Sequence, residues 1–149
     1  IPYFAEANVN INQPALLIAS SAAHETAHYL GVAREDEANF VSYLACTYSL
    51  DASVRYSGTM LALINCANQL YASDAELYRR LVSEYYSEGM LRDLRDYNAY
   101  WDSFEGPIEE AVDSMNDNYL KFNKQENGVK SYGMMVDLLL AYYAKGSAQ

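Results

Sequence analysis

The chain has 149 residues, 51% of them hydrophobic, which suits one domain with a buried core and not a disordered segment. Its formal net charge of -10 argues against a surface that tracks nucleic-acid phosphates or docks on anionic lipid, since both rely on clustered Lys and Arg. An acidic surface of this kind is foremost a solubility device.

In chain order, the first segment is YFAEANVNI, Tyr3 to Ile11. Apolar residues alternate with polar ones from Glu6 onward, so it reads as extended coil or a short strand. A lone strand makes no sheet, so a strand here would need partners upstream.

After Pro14 the pattern turns helical. ALLIASSAAHETAHYL runs as one helix with Pro14 near its first turn and Gly31 at its C-terminal stop. A second helix is expected from Glu35 to Leu50, with Phe40, Val41, Leu44 and Tyr48 at three- and four-residue steps. Asp51 can cap a third helix carrying Val54, Met60 or Leu61, Ile64 and Leu70. SDAE, Ser73 to Glu76, fits a capping box that opens a fourth helix through Tyr86. A fifth covers MLRDLRDYNAYWDSF. Gly106-Pro107 breaks the chain before another helix that ends near QENG, and a last helix runs from Ser131 to Lys145.

The 15 tyrosines suit half-buried helix faces, with the ring packed and the hydroxyl wet. Cys46 and Cys66 lie within apolar helical patterns and read as small hydrophobes; one bridge between neighbouring helices stays open. The most apolar stretch, MMVDLLLAYYA, is too short for a membrane span and is interrupted by Asp137. Ile1 reads as a boundary within a longer or processed protein.

The chemistry concentrates at HETAH. His24 and His28 are the only two histidines in the chain, and they sit four residues apart on the first helix. That spacing puts both imidazoles on one face, where they can share a tetrahedral zinc ion. Glu25 lies beside that point without binding it, placed to take a proton from an activated water. The bland alternative is a chance pattern on an exposed helix face. The apolar neighbours Leu16, Leu17, Ile18, Ala22, Ala23, Ala27 and Leu30 argue against it, because they make the helix substantially buried and a buried His pair and Glu need partners.

A third ligand is required. A third histidine three residues after Gly31 would fall at Arg34, which cannot ligate. The carboxylates that follow, Glu35, Asp36 and Glu37, are candidates, and Gly31 can supply the reversal that returns them to the histidines. Arg34 is expected to pair with one of these carboxylates.

REDEAN, Arg34 to Asn39, resembles the third-ligand helix of the gluzincins, zinc peptidases with a glutamate ligand. The resemblance implies Glu35 as ligand and Asn39 as the residue that orients a ligand histidine. The connection between the two motifs is shorter here than in gluzincins, which keeps Glu37 as an alternative. A wider resemblance rests on EANVN, HETAHYLGVAREDEANFVSYLAC, RYSG, YLK and GVKSYGMMVDLL. Together these are similar to the bacterial family called domain of unknown function 3810. That family implies transmembrane helices followed by a zincin-like domain, so this chain would be the soluble C-terminal portion of a membrane-anchored protein. From its segments Arg55, Tyr56 and Tyr132 become candidates for stabilising a developing oxyanion, with helix-start packing as the rival explanation.

The expectation is therefore a mainly α, zincin-like helical domain over residues 1–149, with an HExxH helix and a short N-terminal extended or strand segment. Its expected function is zinc-dependent peptide hydrolysis. His24, His28 and Glu35 would hold Zn2+, Glu25 would be the general base, and a peptide or protein would be the substrate. The alternatives are a hydrolase of some other amide, or a non-catalytic helical interaction module with a structural or vestigial metal site. Retention of Glu25 weighs against the second, since a structural zinc needs no neighbouring base.

Overall fold

A computed structural model describes residues 6–103 and 128–146, with side chains in the last helix from residue 134. Among these residues the fold is mainly α: α1 (Ala15–Tyr29), α2 (Glu35–Thr47), α3 (Ala52–Ser73), α4 (Ala75–Tyr85), α5 (Glu88–Asp102) and α6 (Gly128–Gly146).

The 22-residue α3 is the axle. Along one side, Ala62 packs with Tyr43 of α2 and with Met135 and Leu139 of α6. Along the other, Met60 packs with Leu16 and Leu17 of α1, flanked by Met90, Leu94 and Tyr97 of α5. Both clusters remove apolar surface from water, the main source of stability in such a layered bundle.

Where α1, α2 and α3 meet, the residues are small. The Ser42 hydroxyl of α2 donates to the Ser20 carbonyl of α1 at 2.6 Å, and the Ser20 N–H donates to Ser57 Oγ of α3 at 2.9 Å. Beside them, a Cβ on Gly58 would collide with Cys46 Cβ, so α2 and α3 pack nearly backbone to backbone. Ser20, His24 and His28 share one stripe of α1, so this junction sets the rotation that aims both histidines.

The segment before α1 differs from a strand. Residues 6–10 are irregular, Ile11 is exposed, and Asn10 Nδ2 donates to Tyr100 OH of α5 at 3.0 Å. Side-chain hydrogen bonding from Asn10, which also accepts from the Asn12 N–H, wins over the weak alternation. The segment is coil laid against α5, and the part of YFAEANVNI before Glu6 lies outside the described residues.

Three other boundaries shift. The second helix stops at Thr47, a turn before Leu50, because the Arg55 guanidinium takes the Ser49 and Leu50 carbonyls at 2.9 and 2.8 Å. The capping box at Ser73 is not formed: α3 runs through Ser73, and Asp74 caps α4 by accepting from the Leu77 N–H at 2.9 Å. Carboxylates are good caps because they also meet the positive end of the helix dipole. The last helix begins earlier than Ser131, at Gly128. The helix expected after Gly106-Pro107 lies outside the described residues.

As expected, Asp51 caps α3, accepting from the Ser53 N–H at 2.7 Å. Cys46 and Cys66 are both free thiols, and burial pushes each thiol's pKa up. No helix of the described residues is long and apolar enough to cross a membrane.

Candidate metal centre

The site is made by the turn between α1 and α2. Gly31 sits at φ 102°, a backbone conformation that residues with a Cβ rarely adopt. The Gly31 N–H donates to the His28 carbonyl at 3.0 Å, and the Val32 N–H to the Ala27 carbonyl at 3.0 Å. This paired closure satisfies the last carbonyls of α1 and reverses the chain. It also turns the Val32 carbonyl back towards α1, where it lies 2.7 Å from His28 Nδ1. A carbonyl can only accept, so the His28 proton belongs on Nδ1 and its Nε2 carries a lone pair.

That lone pair faces two further donor atoms. His28 Nε2 is 3.0 Å from His24 Nε2, and Glu35 reaches both rings, Oε2 at 3.2 Å from His24 and Oε1 at 3.4 Å from His28. Ligands about 2.0–2.1 Å from a tetrahedral zinc ion stand about 3.3 Å from one another. The donor triangle has the chemistry and the dimensions of three corners of such a site. His28 already has the outer hydrogen bond that metal-binding histidines carry.

The electrostatics fit the same picture. Burial lowers the pKa of His24, but the hydrogen bond and charge of Glu35, with help from Glu25 and Asn39, outweigh it and leave the value raised. Glu35 is held below its ordinary range, chiefly by its bond to His24 and against the effect of burial. Asn39, which the gluzincin resemblance implies as a histidine-orienting residue, is close enough to His24 to favour its protonated ring. His24 Nδ1 itself is buried and makes no hydrogen bond of full geometry among the described residues.

The neighbouring acids are occupied elsewhere. Asp36 is buried and clamped by Arg34, with Nη2 3.0 Å from Oδ2 and Nε 3.2 Å from Oδ1. Glu37 is 3.6 Å from the same guanidinium. Of the three carboxylates, Glu35 is the one at the histidines. Arg34 pairs with carboxylates, as its sequence position suggested.

The site opens onto a cleft of about 340 Å³, lined in part by His24, Glu25, Glu35 and Asn39. Glu25 is therefore on the cleft wall beside the donor triangle. The oxyanion candidates fare differently. Arg55 is committed to the α2–α3 turn, and Tyr56 donates to Asp93 at 2.7 Å, tying α3 to α5. Neither lines the cleft. The Tyr132 side chain lies outside the described residues.

A family model described as "Protein of unknown function (DUF3810)" matches residues 1–140. The chain belongs to the DUF3810 family. No curated protein and no solved structure matches it.

Several cleft residues were not singled out by sequence: Gln13, Asn65, Tyr97 and Trp101. Asn65 did leave a signal, a lone carboxamide within the apolar run LALINCA of α3, and Trp101 is the chain's one tryptophan.

Proposed function

We propose that this domain is a zinc-dependent hydrolase acting on peptide bonds. The observation that carries the reading is the triangle of His24 Nε2, His28 Nε2 and a Glu35 carboxylate oxygen, with edges of 3.0, 3.2 and 3.4 Å. Zinc held by these residues would supply Lewis acidity, bringing the pKa of a water down to about 7 and polarising a carbonyl.

The chain's own residues supply the rest. Val32 holds His28 in the tautomer that offers Nε2, and Asn39 stands by His24. Glu25, on the cleft wall, accepts a proton from the attacking water and delivers it to the leaving amine. Glu35 is 56% exposed, which leaves the triangle accessible from solvent and favours an open catalytic site over a closed structural one.

The test is metal content and hydrolysis of a quenched fluorescent peptide library, measured on wild type, His28→Ala and Glu25→Gln. The expected result is about one zinc per chain in wild type and in Glu25→Gln, and none in His28→Ala. Hydrolysis should fall in Glu25→Gln by about 10²–10⁴-fold. Absence of zinc in wild type after incubation with the metal would overturn the metal assignment. Full activity in Glu25→Gln would overturn its role as base.

A further inference from the structure

Three helices bring apolar side chains to the cleft that His24, Glu25 and Glu35 border. Leu17 comes from α1, Leu61 and Ile64 from α3, and Tyr97 and Trp101 from α5. Apolar side chains scattered singly over a surface need no explanation, but a concave group of them beside a candidate catalytic centre marks a place where ligand surface leaves water. Trp101 is the plainest member. It is the one tryptophan of the chain, stands next to the last residue of α5 and is 49% exposed. Its ring packs edge to face with Tyr97 and Tyr100, at centroid distances of 6.2 and 5.2 Å. The ring is supported by its neighbours and still has half its surface to give to a ligand.

The charges of the cleft have one sign. Glu25 and Glu35 line it, and no Lys or Arg does among the described residues. An acidic ligand side chain would meet like charge there and lose water without gaining a counter-ion. The apolar group is also close to the donor triangle. Leu17 precedes His24 by seven residues of α1, about 10 Å along the helix axis. An extended peptide covers that distance in about three residues.

We propose that this cleft is the specificity pocket of the site, taking an aliphatic or aromatic side chain of a peptide substrate within about three residues of the bond held at the metal. Leu17 and Ile64 face that side chain from one side of the cleft and Trp101 from α5, while Glu25 and Glu35 exclude aspartate and glutamate. That the side chain neighbours a cleaved bond rests on the hydrolase reading above; the preference of the cleft does not.

The probe is N-acetyl-Gly-Gly-(4-fluoro-Phe)-Gly-Gly amide, followed by its fluorine line width with zinc-treated and with metal-free chain. The flanking glycines let the ring enter the pocket in any register. Competing peptides N-acetyl-Gly-Gly-X-Gly-Gly amide, with X as Leu, Asn or Asp, rank the side chains. Leu and Asn are nearly the same size, so their ratio reads apolar burial; Asn and Asp differ in charge. Leu should compete about tenfold better than Asn in both forms. Asp should be weaker than Asn by about threefold in the metal-free chain, and Glu25→Gln should narrow that gap without changing the affinity for Leu.

Trp101→Ala should weaken the fluorinated peptide by about fivefold or more, and Trp101→Phe should restore most of the loss. Urea midpoints of the two variants, expected close to wild type for so exposed a residue, separate contact from damage. No line broadening up to about 5 mM peptide, equal competition by Leu and Asn, or wild-type affinity in Trp101→Ala would overturn the proposal. So would octyl glucoside displacing the probe better than the Leu peptide does, since the cleft would then be a site for alkyl chains. Zinc content and peptide hydrolysis are measured on the same samples. The Leu preference without zinc or hydrolysis sinks the hydrolase reading alone, and zinc-dependent hydrolysis indifferent to Leu, Asn and Asp sinks this one alone.

Discussion

His24 Nε2 and His28 Nε2 face each other across 3.0 Å, a separation that only one shared proton or one shared cation can stabilise. Because Val32 holds the His28 proton on Nδ1, the proton between the rings belongs to His24, and a Glu35 oxygen lies 3.2 Å from the same His24 atom. Zinc must displace that proton. Burial lowers the His24 pKa, but Glu35 outweighs it and leaves the value above 6.5, so below it proton and metal compete. Glu35, held below 4.5, stays ionised and does not compete. Zinc affinity should rise about tenfold per pH unit up to the His24 value and flatten above it. Competition titrations with a zinc-responsive dye at several pH values measure this, and a flat profile between about pH 5 and 7 would contradict it.

Glu35 and Glu37 can be told apart by the same titration. Glu35→Gln removes one corner of the triangle and should lower zinc affinity by about 100-fold or more. Glu37, exposed and 3.6 Å from the Arg34 guanidinium, is expected to be replaceable by Gln with less than about a threefold change. The reverse ranking would move the third ligand to Glu37.

The junction of α2 and α3 is sensitive to a single methyl group. Gly58→Ala should gain about 1 kcal/mol of helix propensity. Its new Cβ, however, meets Cys46 Cβ well inside contact distance and Tyr43 O at 3.3 Å, neither of which is the flexible end of a side chain. Overpacking of this kind costs about 1–3 kcal/mol or more, so a net loss on the order of 1–2 kcal/mol is expected. Gly89→Ala is the control, since its Cβ meets only Ser87 Oγ at 3.8 Å and should be neutral or stabilising. Urea midpoints of the two variants decide it. A displaced α2 also carries Glu35 away from the histidines, so Gly58→Ala should bind zinc more weakly than Gly89→Ala.

Why some of this could be read from sequence and some could not follows from the range of the interactions. The helices α1 to α3, the Gly31 reversal and the Asp51 cap are local, set by periodicity and by one or two neighbouring side chains. The HETAH spacing is local too, and it placed both imidazoles on one face before any tertiary contact was known. The choice among Glu35, Asp36 and Glu37 was only partly local. That Arg34 pairs with a neighbouring carboxylate was legible, but which acid is buried against it, Asp36, and which reaches the histidines, Glu35, depends on how α2 docks on α1. The Ser20–Ser42–Ser57 junction spans three helices of generic small residues, and nothing in their spacing announces it. The early end of α2 came from Arg55, a residue of the next helix. Asn65 and Gln13 meet the same cleft only because α3 crosses α1 there.

The Tyr56–Asp93 bond makes a pH prediction with a definite sign. Burial, reinforced by the Asp93 carboxylate that accepts the Tyr56 proton at 2.7 Å, pushes the Tyr56 pKa up from 10.0 to about 12. The folded chain therefore holds this proton more tightly than the unfolded chain does. The stability it contributes is complete below pH 10 and is lost as pH rises from 10 towards 12. Tyr56→Phe has no proton to lose and no hydrogen bond to Asp93. It should be less stable than wild type at pH 8, and the difference should shrink as pH climbs through that window. Urea unfolding of both proteins at about pH 8, 10 and 11 tests this, with the other tyrosines common to the two chains and cancelling in the comparison. A difference that stays constant or widens with pH would mean that the hydroxyl does not hold its proton against Asp93, and that α5 is tied to α3 by ring packing alone.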